Sequence, residues 1–233
     1  MRCATDLGCE QGKIDAMLTP RRLNAYAALL TLMLGVLVQQ VVGVGWLSGL
    51  DRAAYEAARD INASRDIFSV TVMFGLRGII LAVCLPWLGW LSWRNKSWIP
   101  IGGFILVLVF ETGIAGALKI SVGRIFPYQL RDYFDFMRLE TDEMAFPSGH
   151  AANAVALWGY VAWYVTLQRP IFRRVLYTAV GIGWIVVGIS SWLLRTHWPT
   201  DILAGFAVGG IALIAVVGGT SAVISNLSAT PRR

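Results

Sequence analysis

The sequence predicts an all-α membrane bundle of six transmembrane helices, with a short interfacial helix or helices on the non-cytoplasmic side. Three observations predict it. Only 15% of the 233 residues are charged and 56% are hydrophobic, with a mean hydropathy of +0.60. A soluble domain needs more charge to cover its surface. Six apolar runs follow one another, each separated from the next by charge or proline. No run alternates as a membrane β-barrel strand does, and in lipid only helices or closed barrels satisfy the backbone.

A span needs about 20 mostly apolar residues. Residues 1–22 are mostly polar and form a cytoplasmic tail. Leu23 to Leu50 carries no charge; it is too long for a signal-peptide core and reads as an uncleaved first span. Ile67 to Trp93 carries only Arg77, and Ser97 to Leu118 only Glu111. Ala151 to Leu167 is uncharged and extends backwards into Pro147–His150. Val175 to Leu194 and Ile202 to Ser228 are also uncharged. The expected spans are about 23–46, 67–93, 97–119, 148–168, 174–194 and 199–225, in a single membrane domain over 1–233. Segment 51–66, with charges of both signs and several alanines, reads as a short interfacial helix. Residues 128–143 mix aromatic and charged side chains, which suits either an amphipathic helix along the membrane or a solvated loop. Trp46, Trp93, Trp98, Trp192 and Trp198 lie near span ends, as interfacial anchors do.

Lysine and arginine placement orients the bundle. Eleven of the 20 basic residues fall in the N-terminal tail, at Arg94 and Lys96, at Arg169, Arg173 and Arg174, and at Arg232 and Arg233, with only three acids among them. The positive-inside rule puts both termini in the cytoplasm. Segments 51–66, 119–147 and 195–201 then share the opposite face, periplasmic or extracellular in a bacterium. The net charge of +6 and pI of about 9.5 are explained by this topology, with no nucleic-acid partner. Cys3, Cys9 and Cys84 offer no metal-site spacing and no disulfide framework; Cys84 is an apolar filler.

The chain has two histidines, and both open helices at that one face. In Phe146-Pro147-Ser148-Gly149-His150, Ser148 can cap the helix. Gly149 lets an anion approach free N–H groups at the positive end of the helix dipole. In His197-Trp198-Pro199-Thr200-Asp201, an i,i+4 spacing would set Asp201 beside His197. There it could hold one imidazole nitrogen and leave the other free to attack phosphorus. Lys119 ends the third span at the same face, as a snorkelling lysine or a phosphate contact. Arg124 and Arg195 stand within a few residues of it. Arg77 and Glu111 both lie roughly 12–15 Å below that face at the rise of an α-helix. They are expected to pair, or to line the floor of a substrate cavity.

This pattern resembles the type 2 phosphatidic acid phosphatase superfamily, which includes vanadium haloperoxidases and glucose-6-phosphatase. That family's pattern is Lys, six residues, Arg-Pro; then Pro-Ser-Gly-His; then Ser-Arg, five residues, His, three residues, Asp. The chain has Lys119 and Pro127; Pro147, Ser148, Gly149 and His150; and Ser190, His197 and Asp201, all at the matching spacing. It departs at two positions: Phe126 and Ser191 stand where the family has arginines that hold phosphate. Arg124 and Arg195 are the expected replacements. The resemblance implies a lipid phosphatase without a metal ion or other cofactor. His197 would be its nucleophile, Asp201 would orient it, and His150 would be general acid and then base. Lys119, Ser148 and Gly149, with Arg195 and Arg124, would bind phosphate. Its partners would be a lipid phosphate or diphosphate substrate and membrane lipids. Transfer of the phosphate to a second lipid, or lipid binding or transport by a degenerate site, are the alternatives.

Overall fold

The computed structural model describes residues 19–61, 65–129 and 144–229. Helix α1 spans Pro20–Val42, α2 Leu47–Asp60, α3 Arg65–Thr71, α4 Arg77–Asn95 and α5 Ile99–Val122. Helix α6 is Gly149–Asn153 and α7 is Gly159–Gln168. Helix α8 spans Arg173–Leu193 and α9 spans Pro199–Ala229. Among the described residues there is no β-sheet, and the all-helical expectation holds.

Among the described residues four helices are long and apolar enough to cross a bilayer: Pro20–Val42, Ile99–Val122, Pro170–Leu193 and Pro199–Ser221. The run expected as one span over 67–93 is broken. A 3₁₀ turn at Val72–Gly75 ends in an extended Leu76, and the chain bends by 46° before α4 resumes at Arg77. With this bent pair as one span, the structure gives up to five. The run expected over 148–168 is also divided, by a π turn at Ala154–Trp158 between α6 and α7. The wide turn has named partners. The Trp184 indole donates to the Ala154 carbonyl at 2.9 Å, and the Trp158 indole donates to the Phe74 carbonyl at 2.8 Å. The Trp184 donor satisfies a carbonyl that the π turn takes out of the regular ladder, and the Trp158 donor satisfies one in the Val72–Gly75 3₁₀ turn. Segment 128–143, apart from its first two residues, lies outside the described residues.

Helix α9 is the centre of the bundle. In its apolar stretch 56% of residues are buried, against 17–28% in the other three spans. One apolar core joins Leu34, Leu37 and Val41 of α1 to Ala115 of α5 and Ala204, Ala207 and Val208 of α9. A second joins Ile80, Cys84 and Leu88 of α4 to Phe104, Val107, Leu157 and Tyr160. Cys84 is the buried filler expected of it. Outward-facing apolar residues such as Leu32, Val83, Val109 and Ile185 suit lipid contact. Trp46, Trp93 and Trp98 are highly exposed at helix ends, whereas Trp198 is buried and is no interfacial anchor.

Helices α6 and α9 meet backbone to backbone. A Cβ on Gly209 would stand 2.5 Å from the Ala152 carbonyl oxygen, and one on Gly205 would strike the Ser148 carbonyl. Small residues one turn apart are how membrane helices approach this closely. Gly205→Ala is expected to destabilise the protein by about 1–3 kcal/mol through overpacking, read as a lower thermal midpoint in detergent. An unchanged midpoint would refute the close packing.

Candidate active site

The site is built where α5, α6 and α9 begin or end. Phe146-Pro147 leads into α6 through a cis peptide bond. The Ser148 hydroxyl caps α6, accepting from the Ala151 amide at 3.4 Å. Nothing lies within 4 Å of where a Gly149 Cβ would stand, so the backbone is open there. The Ser148 amide donates to the Asp201 carbonyl at 2.9 Å. That bond ties the helix of His150 directly to the turn of His197. His150 lies within electrostatic range of both the His197 ring and Lys119.

Asp201 reaches His197 by a different route from the expected helical spacing. Helix α9 begins at Pro199, after His197. Asp201 instead folds back over the helix start. Its Oδ2 accepts from the Trp198 amide at 3.0 Å and lies 3.7 Å from His197 Nδ1. His197 Nδ1 is buried and makes no hydrogen bond among the described residues, and the Asp201 carboxylate faces it just beyond hydrogen-bond range. The Ser191 carbonyl accepts from the amides of Thr196 and His197 and from the Thr196 hydroxyl, which pins the loop between α8 and α9.

Arg124 lies beneath this turn, buried, and its guanidinium is committed to protein groups. Nη1 donates to Asp201 Oδ1 at 2.6 Å and to Thr200 Oγ1 at 2.7 Å; Nη2 donates to Asp51 Oδ2 at 2.7 Å. Its guanidinium carbon sits 5.1 Å from the centre of the Trp198 ring, a cation–π distance. Burial works against the charge, but the carboxylates of Asp201 and Asp51 hold its pKa above the ordinary arginine value. Asp51 also accepts from the Thr200 amide and hydroxyl, and the Trp198 indole donates to the Ile125 carbonyl at 2.9 Å. Arg124 therefore braces the turn of His197 from within the protein, with its named donors spent on Asp201, Thr200 and Asp51.

Phe126, where the resembled family has arginine, packs its ring 5.6 Å from that of His197 and stacks on Tyr128. Ser191, at the other departure, is buried with its hydroxyl unpartnered. Arg195 is half-buried in a left-handed backbone conformation, φ 59°. Helix α8 has ended at Leu193, so Arg195 is presented by a turn and not one helical turn beyond Ser191. Its guanidinium makes no hydrogen bond or ion pair among the described residues. Lys119, in the last turn of α5, donates to the Met144 carbonyl and lies within electrostatic range of Asp201, Glu111 and Arg77.

Arg77 and Glu111 are brought together. Arg77 Nη2 donates to Glu111 Oε2 at 3.0 Å, and Nε donates to Asn153 Oδ1 at 3.2 Å. Sequence reasoning missed Asp51, Thr200 and Asn153. Asp51 was one charge among several in an amphipathic segment. Only the fold could single it out.

Residues 100–223 match the sequence pattern of the PAP2 superfamily. The chain belongs to the PAP2 superfamily. Over 130 residues, 53% of the chain, it is 30% identical to phosphatidylglycerophosphatase B of Bacillus subtilis; over 119 residues it is 33% identical to lipid A 1-phosphatase of Rhizobium etli. Those alignments cover 59% and 47% of the relatives, so the chain spans about half the length of each. The crystal structure of a transmembrane PAP2-type phosphatidylglycerolphosphate phosphatase from Bacillus subtilis superposes with a TM-score of 0.72. It covers 89% of this chain and 98% of its own, at 20% identity. At that identity the likeness establishes a shared PAP2 membrane fold.

Removing one partner from a buried ion network leaves the others uncompensated. Arg124→Gln is expected to cost about 3–5 kcal/mol, seen as a lower thermal midpoint and loss of any activity that depends on His197. An unaltered midpoint would show that Asp51 and Asp201 do not need the arginine.

Proposed function

We propose that this chain is a membrane lipid phosphatase that removes a phosphate or diphosphate-terminal phosphate through a phospho-histidine intermediate. One observation carries the reading. The Ser148–Asp201 backbone bond ties the start of the His150 helix to the turn of His197, with the Asp201 carboxylate beside that ring, and this supports two imidazoles acting at one site.

With Nδ1 turned towards Asp201, His197 presents Nε2 to phosphorus. Nε2 forms the N–P bond as the P–O bond to the lipid breaks, and His150 gives its proton to the departing lipid oxygen. His150, now neutral, takes a proton from water. The resulting hydroxide attacks the phospho-histidine and releases phosphate and free His197. Lys119, the amides at Gly149 and Arg195, which has no partner among the described residues, supply positive charge to the phosphoryl oxygens in both steps. Arg195 thus takes the part left open by Phe126 and Ser191, while Arg124 positions Asp201. These protein groups provide the charge stabilisation without calling on a metal ion. The full topology is six passes: the four long spans, the bent α3–α4 pair, and α6–α7 joined through the π turn. Both termini face the cytoplasm, and the site opens on the other side, where a lipid headgroup can enter from the bilayer surface. The named functions of the two relatives, phosphatidylglycerophosphatase and lipid A 1-phosphatase, support a lipid-borne phosphate as the substrate class.

A panel of lipid phosphates with purified protein tests this. Phosphate release from at least one lipid is expected, with His197→Ala lowering it by about 10³-fold or more and leaving the thermal midpoint within a few degrees. Arg195→Ala is expected to lower kcat/KM by about tenfold or more, the loss of one charged hydrogen bond. Release that survives in His197→Ala would exclude the mechanism, and full activity in Arg195→Ala would exclude that residue as the replacement cation.

A further inference from the structure

Resting on the phosphatase reading, we propose that Arg77 binds a second anionic group on the substrate, the inner phosphate that stays with the lipid when the terminal phosphate leaves. The site would then favour a lipid diphosphate, or a headgroup carrying two phosphates, over a lipid with a single phosphate.

Arg77 is half-pinned and half-open. Nε is held by Asn153 and Nη2 by Glu111, but no partner occupies Nη1 among the described residues. A guanidinium carries five N–H donors, so three remain. The exposure of the pair is uneven: Arg77 keeps 38% of its side chain accessible while Glu111 is fully buried. A purely structural ion pair within a bundle would be expected to bury both partners. Here the acid is a buried anchor, and its Oε1 has no hydrogen-bond partner. The arginine offers an open edge.

Its placement relative to the reaction follows from the helices. Asn153 is one turn after His150 on α6, and it holds Arg77 by Oδ1 and the Gly75 carbonyl by its amide at 3.2 Å. Gly75 itself lies against His150: a Cβ there would stand 2.5 Å from the His150 carbonyl oxygen. Arg77 is therefore locked about one turn deeper in the bundle than the proposed general acid. Along α5, Glu111 is two turns, roughly 12 Å, below Lys119 at an α-helical rise, so Arg77 and Lys119 hold different positions along the substrate. A lipid that presents its terminal phosphorus to His197 runs inward past His150, which protonates the breaking bridge, and next meets Arg77. In a diphosphate the group at that depth is the inner phosphate. In a single-phosphate lipid it is an uncharged ester or alkyl carbon, which gains nothing from a guanidinium. Arginine suits a phosphate here because its fixed fork can give two parallel bonds.

The test compares a polyprenyl diphosphate with the polyprenyl monophosphate of the same tail, in wild-type protein and in Arg77→Gln and Arg77→Lys. Wild type is expected to show the higher kcat/KM with the diphosphate. Arg77→Gln should lower kcat/KM for the diphosphate at least about tenfold more than for the monophosphate, chiefly through KM, with partial recovery in Arg77→Lys. Methylenediphosphonate should inhibit wild type more strongly than inorganic phosphate does, and that difference should shrink in Arg77→Gln. Equal wild-type kcat/KM for the two lipids, or an equal loss on both in Arg77→Gln, would overturn the proposal and leave the phosphatase reading standing. Hydrolysis of neither lipid by wild type, with no inhibitor binding, would overturn both. A diphosphate also has the better leaving group, so if the variants fail to fold, the stronger binding of methylenediphosphonate than of inorganic phosphate by wild type, in which no bond breaks, decides the matter; equal inhibition by the two would overturn the proposal.

Discussion

Everything at the candidate site depends on how Asp201 is held. One carboxylate caps the start of α9, faces the buried nitrogen of His197 and receives the Arg124 guanidinium, while its own carbonyl anchors the Ser148 amide. A charge this deeply enclosed is tolerable only when paired and hydrogen-bonded. Arg124 meets that need and passes the constraint outward to Asp51 and Thr200. The start of the His150 helix and the turn of His197 are thereby fixed to one another, the kind of preorganisation that the proposed electrostatic catalysis requires.

The two departures from the family pattern become intelligible in this frame. Phe126 gives up a cation and packs an aromatic ring against His197, and Ser191 uses its backbone to hold the loop. In the proposed mechanism the positive charge comes from Lys119, Arg195 and Arg77, three separate elements of the fold. The two residues expected to replace the lost arginines have parted ways. Arg124 is enclosed by carboxylates, while Arg195 is left without a partner among the described residues.

Much of this was legible in the sequence. Apolar runs bounded by charge gave the helices, because a bilayer imposes length and apolarity on any segment that crosses it. Two histidines beside helix starts, predicted to share a face, named the candidate site. The Arg77–Glu111 contact followed from matched depth, since isolated charges in a span seek each other. What stayed hidden was non-local. The break at Leu76 and the π turn at Ala154–Trp158 do not show in hydropathy, because what supports them is tertiary: the Trp158 and Trp184 indoles donate to the Phe74 and Ala154 carbonyls. The role of Asp51 depends on a partner 73 positions away in the chain, and no local spacing rule reaches that far. Asp201 meets His197 through a helix cap and not through helical periodicity.

The measurement that bears most directly on the account is the chemical fate of the phosphoryl group. Purified protein mixed briefly with a lipid bearing a radiolabelled terminal phosphate, quenched in alkali and mapped by peptide, should carry an acid-labile, alkali-stable label on His197. Label on His150 instead, or steady turnover with no phospho-histidine at any quench time, would contradict it.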